Sequence, residues 1–206
     1  MSLDLGTIVE DFAFGFKQAD SKFPTAVNVR SKQEFQPGLG PHSEAETIKL
    51  VMNELARMYP ERYVGQYATG VAYPESARRK CDLCLGQPPG WEWAIEVKMI
   101  RFLGDNGKVN DNILMHVLSP YAEHRSALTD CDKLIQFSLK GKKAILIYGF
   151  DHEEWPLDPA VEAFETLARA RVRLGKKYMA GFADLIHPIH RAGRVFGWEI
   201  IQGSAT

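Results

Sequence analysis

The chain has 206 residues, 45% of them hydrophobic, which is enough apolar material for a sizeable core and excludes intrinsic disorder. Its net charge is −1, so no overall charge marks it as a polyanion-binding protein, and three Cys are too few for a disulfide scaffold. No apolar run approaches the roughly 18 residues that span a bilayer, and no basic leader precedes an apolar segment. We therefore expect a cytoplasmic protein that forms one domain over residues 1–206.

The first third of the chain predicts two helices separated by a polar stretch. Apolar residues recur at helical spacing over residues 3–18, which indicates an amphipathic helix, and Pro and Gly interrupt residues 31–42. Ser43 and Glu46 then form a capping box, which is typical of a helix start. The apolar face of this second helix consists of Ile48, Val51, Leu55 and Met58.

The remaining elements predict a layered α/β domain with a mixed sheet. Strand patterns cover residues 63–72, 78–85 and 91–102, and a polar loop (104–112) and a short apolar run (113–118) follow. A helix begins near Ser126, and a buried strand covers 143–150. A helix over 159–173 and strands at 178–186 and 194–202 complete the chain, so the core spans about 42–150 with additions at both ends.

The hairpin formed by residues 78–102 places two carboxylates opposite each other. Its turn is centred near Pro89, and Asp82 and Glu96 lie seven residues on either side of that centre. Directly opposed β-carbons are about 4.5–5.5 Å apart, and two carboxylates at that separation need a proton or a cation between them. Lys98 points to the same face as Glu96 because strand side chains alternate. The hairpin therefore predicts a cation site beside a lysine.

Glu44 supplies a third acidic side chain to the same region. It lies four residues before Ile48 and so continues the apolar stripe of the second helix to its tip. A carboxylate in a first turn can also simply stabilise the helix dipole, by about 0.3–1 kcal/mol. If the helix packs on the hairpin, Glu44 joins Asp82 and Glu96, and three carboxylates favour Mg²⁺ or Mn²⁺ over zinc.

Together, a helical Glu44, Asp82, Glu96-Val97-Lys98, a helix and a strand resemble the PD-(D/E)XK superfamily of restriction-endonuclease-like nucleases, over about residues 42–150. The chain has Cys81 where the motif name has Pro. The resemblance implies a restriction-endonuclease-like mixed sheet flanked by helices, with an αβββαβ core. It implies that Glu44, Asp82, Glu96 and the Val97 carbonyl bind Mg²⁺ or Mn²⁺. It also implies that Lys98 positions or activates water, and we expect burial and the metal to lower the Lys98 pKa.

The implied activity is metal-dependent hydrolysis of DNA by activated water, with RNA as a further substrate left open. The resemblance places the helix after Ser126 beside the substrate, which makes His124, Arg125 and Lys133 candidate phosphate contacts. Two alternatives remain: a binding module of the same fold without turnover, and a hydrolase of small phosphorylated molecules. A homodimer through the helix at 3–18 also stays open.

Three other patterns receive less weight. Cys81 and Cys84 have the spacing of half a zinc site, but the chain holds one further Cys, and strand residues three apart should face opposite ways. His187 and His190 are expected in a loop between the late strands. Basic residues cluster at 78–80, 140–143 and 169–177, where a solvated surface is the simpler interpretation.

Overall fold

The computed structural model of the protein describes residues 3–28 and 31–201. Its strands are β1 (Tyr67–Tyr73), β2 (Ser76–Gln87), β3 (Gly90–Ile100), β4 (Lys142–Phe150), β5 (Arg173–Phe182) and β6 (Gly193–Ile201). Its helices are α1 (Leu5–Asp20), α2 (Glu44–Met58), α3 (Pro60–Tyr63), α4 (Met115–Leu118), α5 (Ala127–Gln136) and α6 (Asp158–Arg169), with a 3₁₀ turn at Ala122–His124.

The strands form one sheet in the order β1-β2-β3-β4-β6-β5. β3 and β4 run parallel, and the other neighbouring pairs are antiparallel. A parallel pair needs a crossover, and the segment that contains α4 and α5 provides it. The prediction of an α/β fold with a mixed sheet flanked by helices is therefore confirmed.

Helices cover both faces of the sheet, and the alternation of β3 shows why. Trp93, Ile95 and Val97 pack in the apolar cluster that includes residues of α1 and α2. Ala94 and Ile100 pack in the opposite cluster, with residues of α5 and α6. Strand side chains alternate, so Glu96 points to the same face as Ala94 and Ile100 and lies beneath α5. Among the described residues, no helix is long and apolar enough to cross a membrane.

Some of the predicted helices and strands differ in their first or last residue from those in the structure. The predicted buried strand at 143–150 is β4, and the predicted helix at 3–18 is α1. The prediction of a strand at 178–186 was wrong at its start, since β5 begins at Arg173. β5 is an edge strand, and edge strands tolerate the exposed charges that made this segment look like a helix end. Residue 202 of the last predicted strand lies outside the described residues.

Candidate functional site

The site begins where β2 and β3 separate. Their pairing runs from Gln87↔Gly90 to Leu83↔Ile95, and Asp82 is the next residue of β2. Beside it, the β1–β2 pairing keeps one register from Thr69↔Leu83 to Val71↔Cys81, and between these pairs lies Gly70, whose φ of 65° is left-handed. The Val97 N–H of β3 then donates to Asp82 Oδ2 at 2.9 Å. A carboxylate thus accepts the N–H that would otherwise bond to a neighbouring strand.

Glu44 binds the same edge of β3 from helix α2. Ser43 caps that helix, as predicted, by accepting a hydrogen bond from Glu46 N–H at 3.3 Å. The Met99 N–H donates to Glu44 Oε2 at 2.9 Å. The N–H and C=O of a strand residue point towards the same neighbour, so the Val97 carbonyl shares this edge. Asp82, the Val97 carbonyl and Glu44 therefore lie in sequence along one edge.

Glu96 points under α5, where it is completely buried. The Tyr73 hydroxyl donates to Glu96 Oε1, and Lys133 Nζ lies 2.7 Å from Glu96 Oε2. Burial, followed by repulsion from Asp82, raises the pKa of Glu96 well above its ordinary value. Both oxygens of this predicted metal ligand are therefore engaged by groups of the protein itself.

Lys98 lies between acidic side chains on the same face. Its Nζ is 2.9 Å from Asp130 Oδ2 and 3.8 Å from Glu44 Oε1, and it donates to the Arg125 carbonyl at 3.0 Å. Burial would lower the Lys98 pKa, as we expected, but the carboxylates of Asp130 and Glu44 outweigh it. The Lys98 pKa therefore lies above its ordinary value. The expectation of a lowered pKa from burial was wrong for this arrangement, and Lys98 is an ammonium hydrogen-bond donor.

Asp130 is a member of this site that the sequence reasoning missed. It is only 4% exposed, and its carboxylate bridges two lysines: Oδ1 lies 3.0 Å from Lys133 Nζ, and Oδ2 lies 2.9 Å from Lys98 Nζ. The available signal was its place between Ala127 and Leu134, on the apolar stripe that α5 turns towards the sheet. The same reasoning that selected Glu44 applies to Asp130.

We call the following six residues the carboxylate–lysine cluster: Glu44, Asp82, Glu96, Asp130, Lys98 and Lys133. When all six are ionised, four carboxylates face two ammonium groups, which leaves an excess of negative charge. Burial is the main reason that the pKa of Glu44 is raised to about 7; Lys98 opposes this rise, and the charges of Asp82 and Asp130 add to it. Such raised carboxyl pKa values are expected where positive charge is in short supply.

A cleft of about 730 Å³ opens over Glu44 and Lys98. Its lining is rich in side chains that bear or can acquire positive charge, together with the acidic Asp111 and Glu123; the basic ones are Lys98, Arg101, His116, His124 and Arg125. Cationic and hydrogen-bonding groups around a cleft are suited to a ligand that carries phosphate.

The three predicted phosphate contacts fall in two places. His124 and Arg125 both line the cleft, and Arg125 is exposed with a left-handed backbone (φ 47°). His124 Nδ1 lies 2.6 Å from Ser119 Oγ, which orients its ring. Lys133 instead lies against Glu96.

The donor set at the edge of β3 fits a hard divalent cation. Asp82 and Glu44 each use one oxygen to accept a backbone N–H, which orients the other oxygen, and the Val97 carbonyl is a third oxygen on the same edge. Within residues 3–28 and 31–201, no three His, Cys, Asp or Glu side chains lie close enough together to hold a metal ion. Two carboxylates and a carbonyl are consistent with that finding, because Mg²⁺ usually keeps several waters.

The structure also shows where the Cys pair and one of the basic clusters lie. Cys81 and Cys84 lie in the same apolar cluster, so the expectation that they face opposite ways was wrong. The left-handed Gly70 of β1 lies between the partners of Leu83 and Cys81, beside this part of β2. Lys143 is buried and donates to the carbonyls of Leu134 and Phe137 at the end of α5, so it belongs to the core rather than to a basic surface.

His187 and His190 lie in the loop between β5 and β6, as predicted, and both are completely buried. His190 Nε2 is 3.4 Å and His187 Nε2 is 3.9 Å from Asp105 Oδ1. The ring of His152 lies 5.7 Å from that of His190. We call Asp105, His152, His187 and His190 the histidine cluster.

Comparisons of the chain with protein-family models, with curated proteins and with solved structures returned no match.

Proposed function

We propose that the protein is a metal-dependent phosphodiesterase that hydrolyses DNA, built on a restriction-endonuclease-like core. The observation that carries the proposal is the position of the carboxylate–lysine cluster where β2 and β3 separate, below a cleft with a basic lining. The element order α2, β1–β3, α5 and β4, with β3 parallel to β4, agrees with an αβββαβ core. These features support the assignment together, because the short motif alone recurs by chance.

Different residues would bind the metal ion and donate hydrogen bonds during the reaction. Asp82, Glu44 and the Val97 carbonyl would hold Mg²⁺ or Mn²⁺, which supplies charge neutralisation at the phosphate and acidifies bound water. Lys98, held protonated by Asp130 and Glu44, would donate hydrogen bonds to the attacking water or to a non-bridging oxygen. The proton of the attacking water therefore needs an acceptor other than Lys98.

The phosphates on either side of the reacting one would contact the cleft lining. Arg125 is exposed, and Arg101 and His124 are half-buried, so each presents donors to a ligand at the opening. Contacts of this kind place the backbone without reading the bases. They also predict a steep salt dependence of binding, which separates a polymer substrate from a small phosphorylated molecule.

A nucleic-acid-binding module without turnover is the second candidate. It is favoured by the saturation of Glu96, whose two oxygens accept from Tyr73 and pair with Lys133. A site whose charges are already paired can be maintained for structure alone. Such a module would bind DNA equally well with and without a divalent ion.

Cleavage of labelled single- and double-stranded DNA in Mg²⁺, Mn²⁺ and EDTA tests the proposal. Lys98→Ala should lower the rate of metal-dependent cleavage by about 10²–10³-fold, the scale of losing one pre-oriented donor. Lys177→Ala is the matched control. It removes an exposed lysine of β5, whose Nζ lies 3.0 Å from Glu165 Oε2. Equal rates for the wild type and Lys98→Ala would exclude the mechanism. Metal-independent binding without cleavage would favour the second candidate.

A further inference from the structure

We propose that Lys133 is the resident counter-ion of Glu96 and that a divalent cation binds Glu96 only by displacing the Lys133 ammonium. The inference rests on the proposed function in one respect, namely that a divalent ion is a ligand of the carboxylate–lysine cluster. It assigns Lys133 a role in regulating metal occupancy.

The Lys133 ammonium occupies a cage of oxygens. Its Nζ lies 2.7 Å from Glu96 Oε2 and 3.0 Å from Asp130 Oδ1, and it donates to the Lys80 carbonyl at 3.4 Å. Two carboxylates and a backbone carbonyl are also the donor types that Mg²⁺ and Mn²⁺ prefer. The protein has therefore placed a monovalent cation in surroundings that suit a divalent one.

Glu96 cannot hold both cations at once. It is completely buried, and Tyr73 engages its other oxygen, so the oxygen facing Lys133 is the one that remains for exchange. A divalent ion beside Lys133 would add a third cation to a poorly solvated site that already holds two ammonium groups, and such charges repel strongly. Without either cation, Glu96 would be an unpaired buried charge, which is costly. Glu96 therefore pairs either with the Lys133 ammonium or with a divalent ion, but not with both.

Lys133 has the freedom to leave, whereas its partners do not. Its side chain is 17% exposed, while that of Glu96 is fully enclosed. A flexible four-carbon stem lets an ammonium move towards solvent with its Cα fixed on a helix. Asp130, one turn earlier on α5, also pairs with Lys98 and so stays neutralised after Lys133 has left.

Titration of the full chain with Mn²⁺, followed calorimetrically, tests the proposal. Lys133→Met should bind Mn²⁺ about tenfold more tightly or better than the wild type, because no ammonium has to be displaced. Lys177→Met removes a lysine of comparable pairing, 3.0 Å from Glu165, and should match the wild type. Equal or weaker Mn²⁺ binding by folded Lys133→Met, or no binding by either protein, would overturn the proposal.

A second measurement uses the wild type and so does not depend on the folding of the variant. The protected Lys133 ammonium should give a slowly exchanging ¹⁵Nζ signal, identified by its loss in Lys133→Arg, and saturating Mg²⁺ should shift or abolish it. An unchanged signal at calorimetric saturation would mean that the ammonium stays, and would refute displacement. The cleavage assay is independent: wild-type protein that exchanges the ammonium but never cuts DNA would refute the proposed function alone.

Discussion

The carboxylate–lysine cluster and the histidine cluster differ in how their buried groups are charged, although Lys98 and Arg101, which reach one cluster each, are three residues apart. Lys98 enters the first cluster, and Arg101, whose Nη1 is 3.6 Å from Asp105 Oδ1, reaches the second. Carboxylates hold the Lys98 pKa above its ordinary value against burial. Burial, together with repulsion from His190, lowers the pKa of His187 to about 4. For Lys98 the neighbouring carboxylates outweigh burial, whereas for His187 burial outweighs the single carboxylate of Asp105.

The difference assigns distinct tasks to the two clusters. Glu44 and Lys98 of the carboxylate–lysine cluster line the cleft, where a charged ligand can reach them. The histidine cluster joins Asp105, in the loop after β3, to His187 and His190, in the loop between β5 and β6. Asn110 and Asp111 of the first loop line the cleft. The C-terminal addition therefore supports one wall of the proposed site.

The largest effect on stability is expected for Asp130→Asn. The change leaves two buried ammonium groups without the carboxylate that they share, and breaking a buried ion pair costs about 3–5 kcal/mol. Urea unfolding should show a loss of that order. Asp132→Asn, two residues along the same helix, breaks an exposed pair with Arg171 and should cost at most about 1 kcal/mol. Similar losses for both variants would show that Asp130 is not a central partner.

Asp105→Asn applies the same change to the histidine cluster and should cost less, about 1–2 kcal/mol. His190 and His187 lose a carboxylate charge at 3.4 and 3.9 Å, and Arg101, whose pair with Asp105 is broken, keeps its bond to the Gly40 carbonyl. Urea unfolding of both Asp→Asn variants under one condition gives the comparison directly. A loss for Asp105→Asn as large as that for Asp130→Asn would contradict the view that the aspartate stabilises its ion pairs more strongly in the carboxylate–lysine cluster than in the histidine cluster.

The smallest effect is a pH dependence that comes from His187. Its pKa is 6.5 in the unfolded chain and about 4 in the folded one, so its contribution is complete above pH 6.5 and is lost as pH falls towards 4. The wild type should lose roughly 1 kcal/mol more than His187→Asn between about pH 7.5 and 5.5. Glu44, whose raised pKa acts in the opposite sense, is present in both proteins, so its effect cancels in the difference. Parallel stability profiles would contradict the assignment.

Much of the fold followed from local patterns. The capping box at Ser43 located α2, the apolar run located β4, and the Pro-Pro-Gly turn located the hairpin. The register next to Asp82 and Glu96 also depends on a shift in the pairing between Leu85 and Gly86, which the turn does not reveal. Glu44 was found because a charged residue on an apolar stripe has few explanations other than a buried partner. These signals depend on neighbours within a few residues, which a sequence displays directly.

Contacts between distant segments were beyond such reasoning. Tyr73 meets Glu96 across the sheet, and Lys133 meets Glu96 from a helix 37 residues later. Lys133 was expected to contact a phosphate because the resemblance places its helix beside the substrate. The direction of the Lys98 pKa failed for the same reason: burial was visible in the pattern of β3, but the carboxylate of Asp130 was not.

The separation of β2 and β3 also bears on how the proposed metal site should be mutated. Asp82 and Glu44 cover two N–H groups of β3, those of Val97 and Met99, and so take the place of a neighbouring strand at an open sheet edge. Truncation of either acid to alanine would bare an edge to which another chain can add. Asparagine and glutamine retain the accepting carbonyl. A variant made with Asp82→Asn and Glu44→Gln, which alters the proposed metal site, should therefore stay monodisperse under conditions in which the double alanine variant self-associates.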